Sequence, residues 1–313
     1  MTEVALELPE AHPPRRGLWH HALARLVRQP VTVTAFVLLV AILLAGALAP
    51  VIAPHGWNMI DLADRWRNHG PTLAGRHLLG TDNFRHHTLV RTLYGLRTST
   101  QTALFAALGG TAIGVVVGSV AGSRGGWLDA GLMRVADLLS AFPMLMLLYA
   151  AYILIYEGFH HALSVRWYTL LFALTLWTVV ARVVRAAVVA LQATEFVESA
   201  RALGASELRV FLRHVLPNAA GTIVVAATAL VGQVLALEAT IEFFSLGVPS
   251  NSTPTLGNLI ADVVAYGIGP YQQQALGWWT WVTPATMLVV VLLCVNLIGD
   301  GLDAALNPQQ VRG

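Results

Sequence analysis

The sequence contains no lysine; its 19 basic residues are all arginine. A standard P-loop nucleotide site sets a lysine against the β- and γ-phosphates, so this chain cannot carry such an ATPase of its own. With so much Ala, Gly and Val around them, the arginines read as the signature of GC-rich coding. A single cysteine, Cys294, lies in an apolar run, which excludes an internal disulfide. Charge is scarce at 12% of residues, and a net charge of +2 is too small to argue for nucleic acid as a partner. H-E-x-x-H, G-x-S-x-G and a Gly-rich dinucleotide turn after a strand are all missing, and the apolar segments do not gather polar residues at one depth. No catalytic, cofactor-binding or metal-ligating set is therefore expected. What is abundant is hydrophobic surface: 56% of residues, with a mean hydropathy of +0.64, well above a soluble domain of this length.

Six segments reach the roughly twenty residues that a bilayer core requires, near 31–53, 99–122, 136–156, 167–189, 219–243 and 280–299. The fold class is all-α, a polytopic membrane protein. Residues 1–30 read as a loose cytoplasmic tail, 31–98 as the first span with an outer loop, 99–308 as the core of spans, and 309–313 as a short tail. The first span and its upstream region are too long for a cleaved signal, so it reads as an anchor. Arg15, Arg16, Arg25 and Arg28 precede it and place the N-terminus inside. Six crossings then put the C-terminus and the segment 195–217 on that side, with Arg124, Arg134, Arg182 and Arg185. Gly109-Gly110, Gly114, Gly118 and Gly122 form a ladder at four-residue spacing along span two, suited to close helix packing. Within the outer loop, 82–97 reads as an amphipathic helix along the surface.

The run Glu195 to Pro217, EFVESARALGASELRVFLRHVLP, holds Glu195, Glu198, Arg201, Glu207, Arg209 and Arg213. Charge this dense belongs in water, not hydrocarbon. Two short helices split at Gly204 are expected. Thr194 would cap the first and Ser206 the second, with acidic residues in each first turn and Arg213 near the end of the second. Gly204 supplies the bend and Pro217 stops the helix before the next span. Such a structured, charged pair between two spans is suited to dock a soluble partner.

The same run resembles the EAA loop of ABC importer permeases: Glu198-Ser199-Ala200, then Gly204, then Leu216-Pro217, with Ser199 where alanine is usual. Gly80-Thr81-Asp82, Leu93-Tyr94-Gly95, Gly125-Gly126-Trp127-Leu128-Asp129, Met133-Arg134 with Asp137, Ala141-Phe142-Pro143, Glu238-Ala239 and Asn296 to Leu302 resemble the C-type permease of the dipeptide/oligopeptide/nickel importers. The resemblance spans residues 20 to 308. One departure stands out: where the family follows Gly-Thr-Asp with Gly-Arg-Asp, this chain has Arg85-His86-His87.

The resemblance implies a type I ABC importer permease fold and half of a translocation pathway in a bacterial cytoplasmic membrane. The implied partners are a second homologous permease, two cytoplasmic ATPase subunits that hold the ATP and magnesium, and an extracytoplasmic solute-binding protein. Glu195, Glu198 and Ser199 would meet the ATPase, Gly204 would be the turn, Ala200, Leu203, Leu208 and Phe211 would supply apolar contact, and Pro217 would close the loop. Short peptides are the first expectation for substrate; nickel or another small solute is the second. A stand-alone secondary transporter is the rival class.

Glu238 and Glu242 share one helix face near the outer end of span five. They are either functional intramembrane acids or groups that face the outer water or bond neighbouring helices. Asp300, between Gly299 and Gly301, reads as bracketing the inner end of span six. His20-His21, His86-His87 and His160-His161 are pairs that could interest a metal, although adjacent helical positions point about 100° apart and chelate poorly.

Overall fold

The computed structural model describes residues 18–58, 60, 70–72, 78–82, 84–159, 164–244, 246–248, 250, 252–267 and 277–306. The 160–161 histidine pair, most of the loop from 61 to 77 and both extreme termini lie outside the described residues, as do the side chains of His20 and His21. The first part of the chain forms α1 (Leu18–Val27), α2 (Pro30–Ala47), α3 (Ala49–Ile52), α4 (Thr88–Arg124), α5 (Gly126–Ala141) and α6 (Met144–Phe159). The second part forms α7 (Val165–Gln192), α8 (Glu195–Ala202), α9 (Glu207–Val210), a π-helical turn (Phe211–Val215), α10 (Leu216–Phe243), α11 (Leu256–Gly267) and α12 (Trp279–Leu306). Among the described residues the only β-pairing consists of two isolated bridges, Ile60 with His86 and Thr81 with His87.

The seam between α4 and α7 organises the bundle. Gly109 lies against Ala173, Gly114 against Val180, Gly118 against Val184 and Gly122 against Val188. A Cβ built on Gly114 would stand 2.7 Å from Val180 Cβ and 2.9 Å from the Trp177 carbonyl oxygen, so only glycine permits this approach. Both sequences rise together along the seam, so α4 and α7 run parallel. The chain between them must therefore return across the bundle.

That return is α5 and α6, which are not the straight third span expected over 136–156. Phe142 is extended at φ −84°, ψ 139°, the conformation that a following proline imposes, and the two helices meet at Pro143 with a bend of 89°. With this pair as one crossing, the spans number six: α2, α4, α5–α6, α7, the helix from Glu207 to Phe243, and α12.

Six crossings bring the two ends of the described chain to one face, and contacts there agree. Arg25 donates to the Ala305 carbonyl at 3.3 Å, and Leu26 packs on Ala305 and Leu306. Gly221, at the start of α10, lies against Leu306. The segment 195–217 shares this face. On the opposite face Trp279 donates to the Thr81 carbonyl at 3.1 Å and Tyr94 to that of Ala53 at 3.1 Å. Phe172, Val180, Val184, Val234 and Val291 are fully buried at the centre, while Leu104, Phe105 and Val116 are exposed on the outside of the bundle.

Three boundary expectations change. Residues 88–97 are not a separate surface helix, because α4 is continuous over 37 residues, about 55 Å against a hydrocarbon core of about 30 Å. Residues before Thr88 form a turn instead. The first span ends at Ala47, and Pro50 starts the short turn of α3. Asp300 does not bracket a helix end, since α12 runs on to Leu306; Gly301 is needed because Thr32 of α2 lies directly on it.

Gly114→Leu should destabilise the bundle by about 1–3 kcal/mol or more through overpacking, read as a lower thermal midpoint in detergent. Gly131→Ala in α5, where a Cβ meets nothing within 4 Å, should leave the midpoint unchanged or raised. Equal tolerance at both positions would count against the seam.

Candidate functional site: the charged double helix and the clasp opposite it

α8 ends in a Schellman motif. Gly204 has φ +82°, its N–H reaches the Arg201 carbonyl at 2.9 Å, and the Ala205 N–H reaches that of Ala200 at 3.1 Å. Ala200 and Ala205, the apolar pair of that motif, both pack on the core. Arg201 then bridges the bend with a fork on Glu207, Nε to Oε1 and Nη2 to Oε2, each at 3.0 Å. The pair is exposed, so its use is to hold the angle between α8 and α9 and not to add much stability. Val197, Val210 and Val215 are buried and pin both short helices to the bundle.

Several expectations for this segment are corrected. Neither cap is made by a side chain: the Thr194 hydroxyl turns back to the Leu191 carbonyl at 2.5 Å, and Ser206 makes no cap bond. Pro217 does not stop a helix. It occupies the first turn of α10, and the π-turn over 211–215, with Leu216 N–H bonded to the Phe211 carbonyl, lets the helix run through the position where a proline N–H is missing. The Arg213 expected near a helix end is therefore inside one continuous helix. Phe211 and Ala200 are half-buried against the core rather than free on the surface. Ser199 donates to the Glu195 carbonyl at 2.8 Å, so its hydroxyl is used within α8.

What stands open to solvent is Glu195, Glu198, Arg209 and Arg213 around an apolar centre. Leu203 is 88% exposed, Leu208 68%, Leu212 53% and Phe196 42%. Leu212 and Phe196 were not singled out from sequence, although Leu212 stands four residues after Leu208 and so on the same helical face. The inward side of the segment joins α7, where Arg185 forks Asp129 of α5 at 2.5 and 2.6 Å and Arg182 donates to Ser140 at 2.7 Å.

At the other end of α10, Glu238 and Glu242 are buried, 5% and 4% exposed, and so do not face outer water. Glu242 accepts the Val248 N–H at 3.1 Å, and Glu238 is hydrogen-bonded with Ser99 of α4, whose Oγ also accepts the Leu256 N–H at 3.0 Å. The acids thus tie α10 to α4 and to the segment leading into α11.

Above them lies a buried ionic clasp. Asp82 accepts Arg91 at 2.5 Å and pairs with His86 at 3.0 Å; Arg91 also reaches Asp262 at 3.5 Å and the Ser250 carbonyl at 3.2 Å. Burial works against the Asp82 charge, but the His86 hydrogen bond and the Arg91 guanidinium outweigh it and hold the carboxyl below its usual value. Asp262 is pushed up by burial, with Arg91 and Ser250 opposing. The departure at 85–87 now has a structural meaning. Arg85 sits at φ +68°, where the family pattern has glycine, and His86 lies against Asp82, ringed by Trp57 and Phe84. His86 is committed to this pair, and no group of three potential metal ligands occurs among the described residues.

A bundle of long apolar helices with one charged double helix between two of them has known counterparts. Residues 114–312 match the family of binding-protein-dependent transport system inner membrane components, and residues 17–71 match the N-terminal transmembrane domain of oligopeptide transport permease C.

The chain belongs to this permease family.

A putative peptide transport system permease protein of Brucella suis is 33% identical over 91% of this chain and 90% of its own length. The oligopeptide transport system permease protein OppC of Haemophilus influenzae is 30% identical over 98% of this chain and 94% of its own, and OppC of Bacillus subtilis 30% over 94% and 90%. In fold the permease is similar to a chain of the inward-facing MetNI methionine ABC transporter, with a TM-score of 0.55 at 19% identity over 68% of this chain and 94% of that one. The all-α ABC importer permease fold expected from the sequence is the fold observed.

Two measurements probe this geometry. Gly204→Val meets no neighbour within 4 Å, so its cost is the backbone alone, about 1–2 kcal/mol. Hydrogen exchange over 195–207 should accelerate in Gly204→Val and much less in Gly204→Asn; equal rates would mean that the left-handed turn is not needed. For the clasp, Asp82→Asn should lower stability near pH 7 by on the order of 3 kcal/mol, because Arg91 loses its closest partner. The Asp82 value is depressed on folding, so its contribution is complete above its unfolded value of about 3.8 and fades as pH falls through the lower folded value. The gap between wild type and variant should therefore be flat from pH 8 to 5 and close below pH 4. A gap that closes near neutrality would assign the effect to another group.

Proposed function

We propose that this permease forms half of the membrane pathway of an ATP-driven importer of short peptides, with the double helix at 195–217 as its docking element for an ATPase subunit. The carrying observation is that loop: an apolar centre at Leu203, Leu208 and Leu212 inside a charged rim, on a helix that continues into the bilayer without a break. Exposed apolar surface ringed by charge is the make-up of a protein interface core and rim. The names of the relatives support peptide as the substrate class. The partners are a second homologous permease, two ATPase subunits that bind ATP and magnesium, and a solute-binding protein on the outer side.

Orientation follows the arginines. Arg25, Arg28 and Arg124 fall on the face of the double helix, which is read as cytoplasmic. The chain hydrolyses no ATP; it receives motion. Closure of the ATPase pair displaces α8 and α9, and the helix 207–243 carries that displacement to the opposite face, switching access. Glu198 is exposed on α8 and contacts the ATPase groove, and Gly204 preserves the angle.

Glu198→Arg tests this reading in membranes that contain the whole transporter. Pull-down of the ATPase should weaken, or peptide-stimulated hydrolysis should fall at least several-fold, while the spans stay inserted. Full recovery with full stimulation would remove the docking role from this loop.

A further inference from the structure

A groove of about 540 Å³ opens between α2, α4, α10 and α12, on the side of the bundle away from the α4–α7 seam. Its walls are Leu39, Leu43, Leu104, Leu108, Val231 and Ile298, and Arg97 and Gln101 stand at one end. The Arg97 guanidinium has no ion-pair or hydrogen-bond partner among the described residues. Arg97 lies nine residues into α4, about 13 Å from its start. The apolar run of this helix begins at residue 99, two residues further on, so the guanidinium sits at headgroup depth. Leu104 and Leu108 follow about 10 and 16 Å deeper along the same helix. The groove is charged at the interface and apolar below it.

We propose that this groove binds one anionic phospholipid, its phosphate on Arg97 and an acyl chain between α2, α4, α10 and α12. A translocating peptide suits the walls poorly. The Thr100 hydroxyl is spent on the Leu96 carbonyl at 2.7 Å and that of Thr228 on the Val224 carbonyl at 2.9 Å, leaving few groups for a peptide backbone. A helix of a second permease would fill the apolar part but would have to bring a carboxylate to Arg97. A lipid brings both the anion and the chain.

The test uses the assembled transporter extracted from nanodiscs of phosphatidylglycerol and phosphatidylcholine, with retained lipid measured by native mass spectrometry. Wild type should keep phosphatidylglycerol in preference. Arg97→Gln should lower that retention about five-fold, as expected for one cation near a membrane surface, and Arg97→Lys should restore it, which separates charge from folding. Ala227→Phe, filling the groove, should lower retention of both lipids. A photo-crosslinking residue at position 104 should yield a lipid adduct. Phosphatidylglycerol retention unchanged by Arg97→Gln, or a crosslink from position 104 to another permease subunit, overturns the proposal.

Discussion

The close approach of α4 and α7 is the constraint on which the rest depends. Glycines at four-residue spacing let two helices touch backbone to backbone, and van der Waals contact of this kind is what membrane helices have in place of a hydrophobic driving force. Because the seam is parallel, its consequences reach beyond packing. It obliges α5 and α6 to recross, fixes the number of spans as even, and delivers the end of α7 to the face where the chain's first and last described helices meet. The charged double helix begins three residues after α7 ends, so its position is inherited from this seam.

That inheritance explains how charges are divided between the two faces. On the face of the double helix, the arginine–carboxylate pair at 201 and 207 is exposed and holds an angle. On the opposite face, Asp82, Arg91 and Asp262 are withdrawn from water and hold three segments together. Exposed pairs exchange readily with water, whereas a buried pair cannot lose one member cheaply. One end of the molecule is therefore suited to being displaced and the other to resisting displacement.

The sequence made the six apolar runs, the glycine ladder and the Gly204 bend legible, because each rests on a local property: length, spacing, or the absence of a Cβ. It misled where a longer-range option competed with the local rule. Pro217 looked like a helix stop, yet a π-turn absorbs its missing N–H and keeps 207–243 continuous. The segment 82–97 looked like a separate amphipathic helix, yet the residues before Thr88 form a turn, Arg91 and Thr92 are buried, and the helix from Thr88 runs on to Arg124. Thr194 and Ser206 had the right identity for caps, but Thr194 found a closer acceptor behind it. In the loop, which apolar side chains face out could not be read from composition, since Phe211 and Leu212 are neighbours with opposite fates decided by packing against the core.

Continuity through Pro217 joins the double helix to the span as one rod. A helix that stopped at the proline would leave a joint between the docking element and the span, and motion at α9 could dissipate there. The observed helix instead runs 37 residues from Glu207 to Phe243, through the π-turn and Pro217. At its far end Glu242 holds the Val248 N–H and Glu238 meets Ser99, whose hydroxyl in turn holds the start of α11. Asp262 of α11 then reaches Arg91 of α4. Hydrogen bonds and one ion pair thus link the outer end of this helix to the clasp, which holds that end in place. The two buried acids act in this chain of contacts as fastenings between α10, α4 and the segment leading into α11.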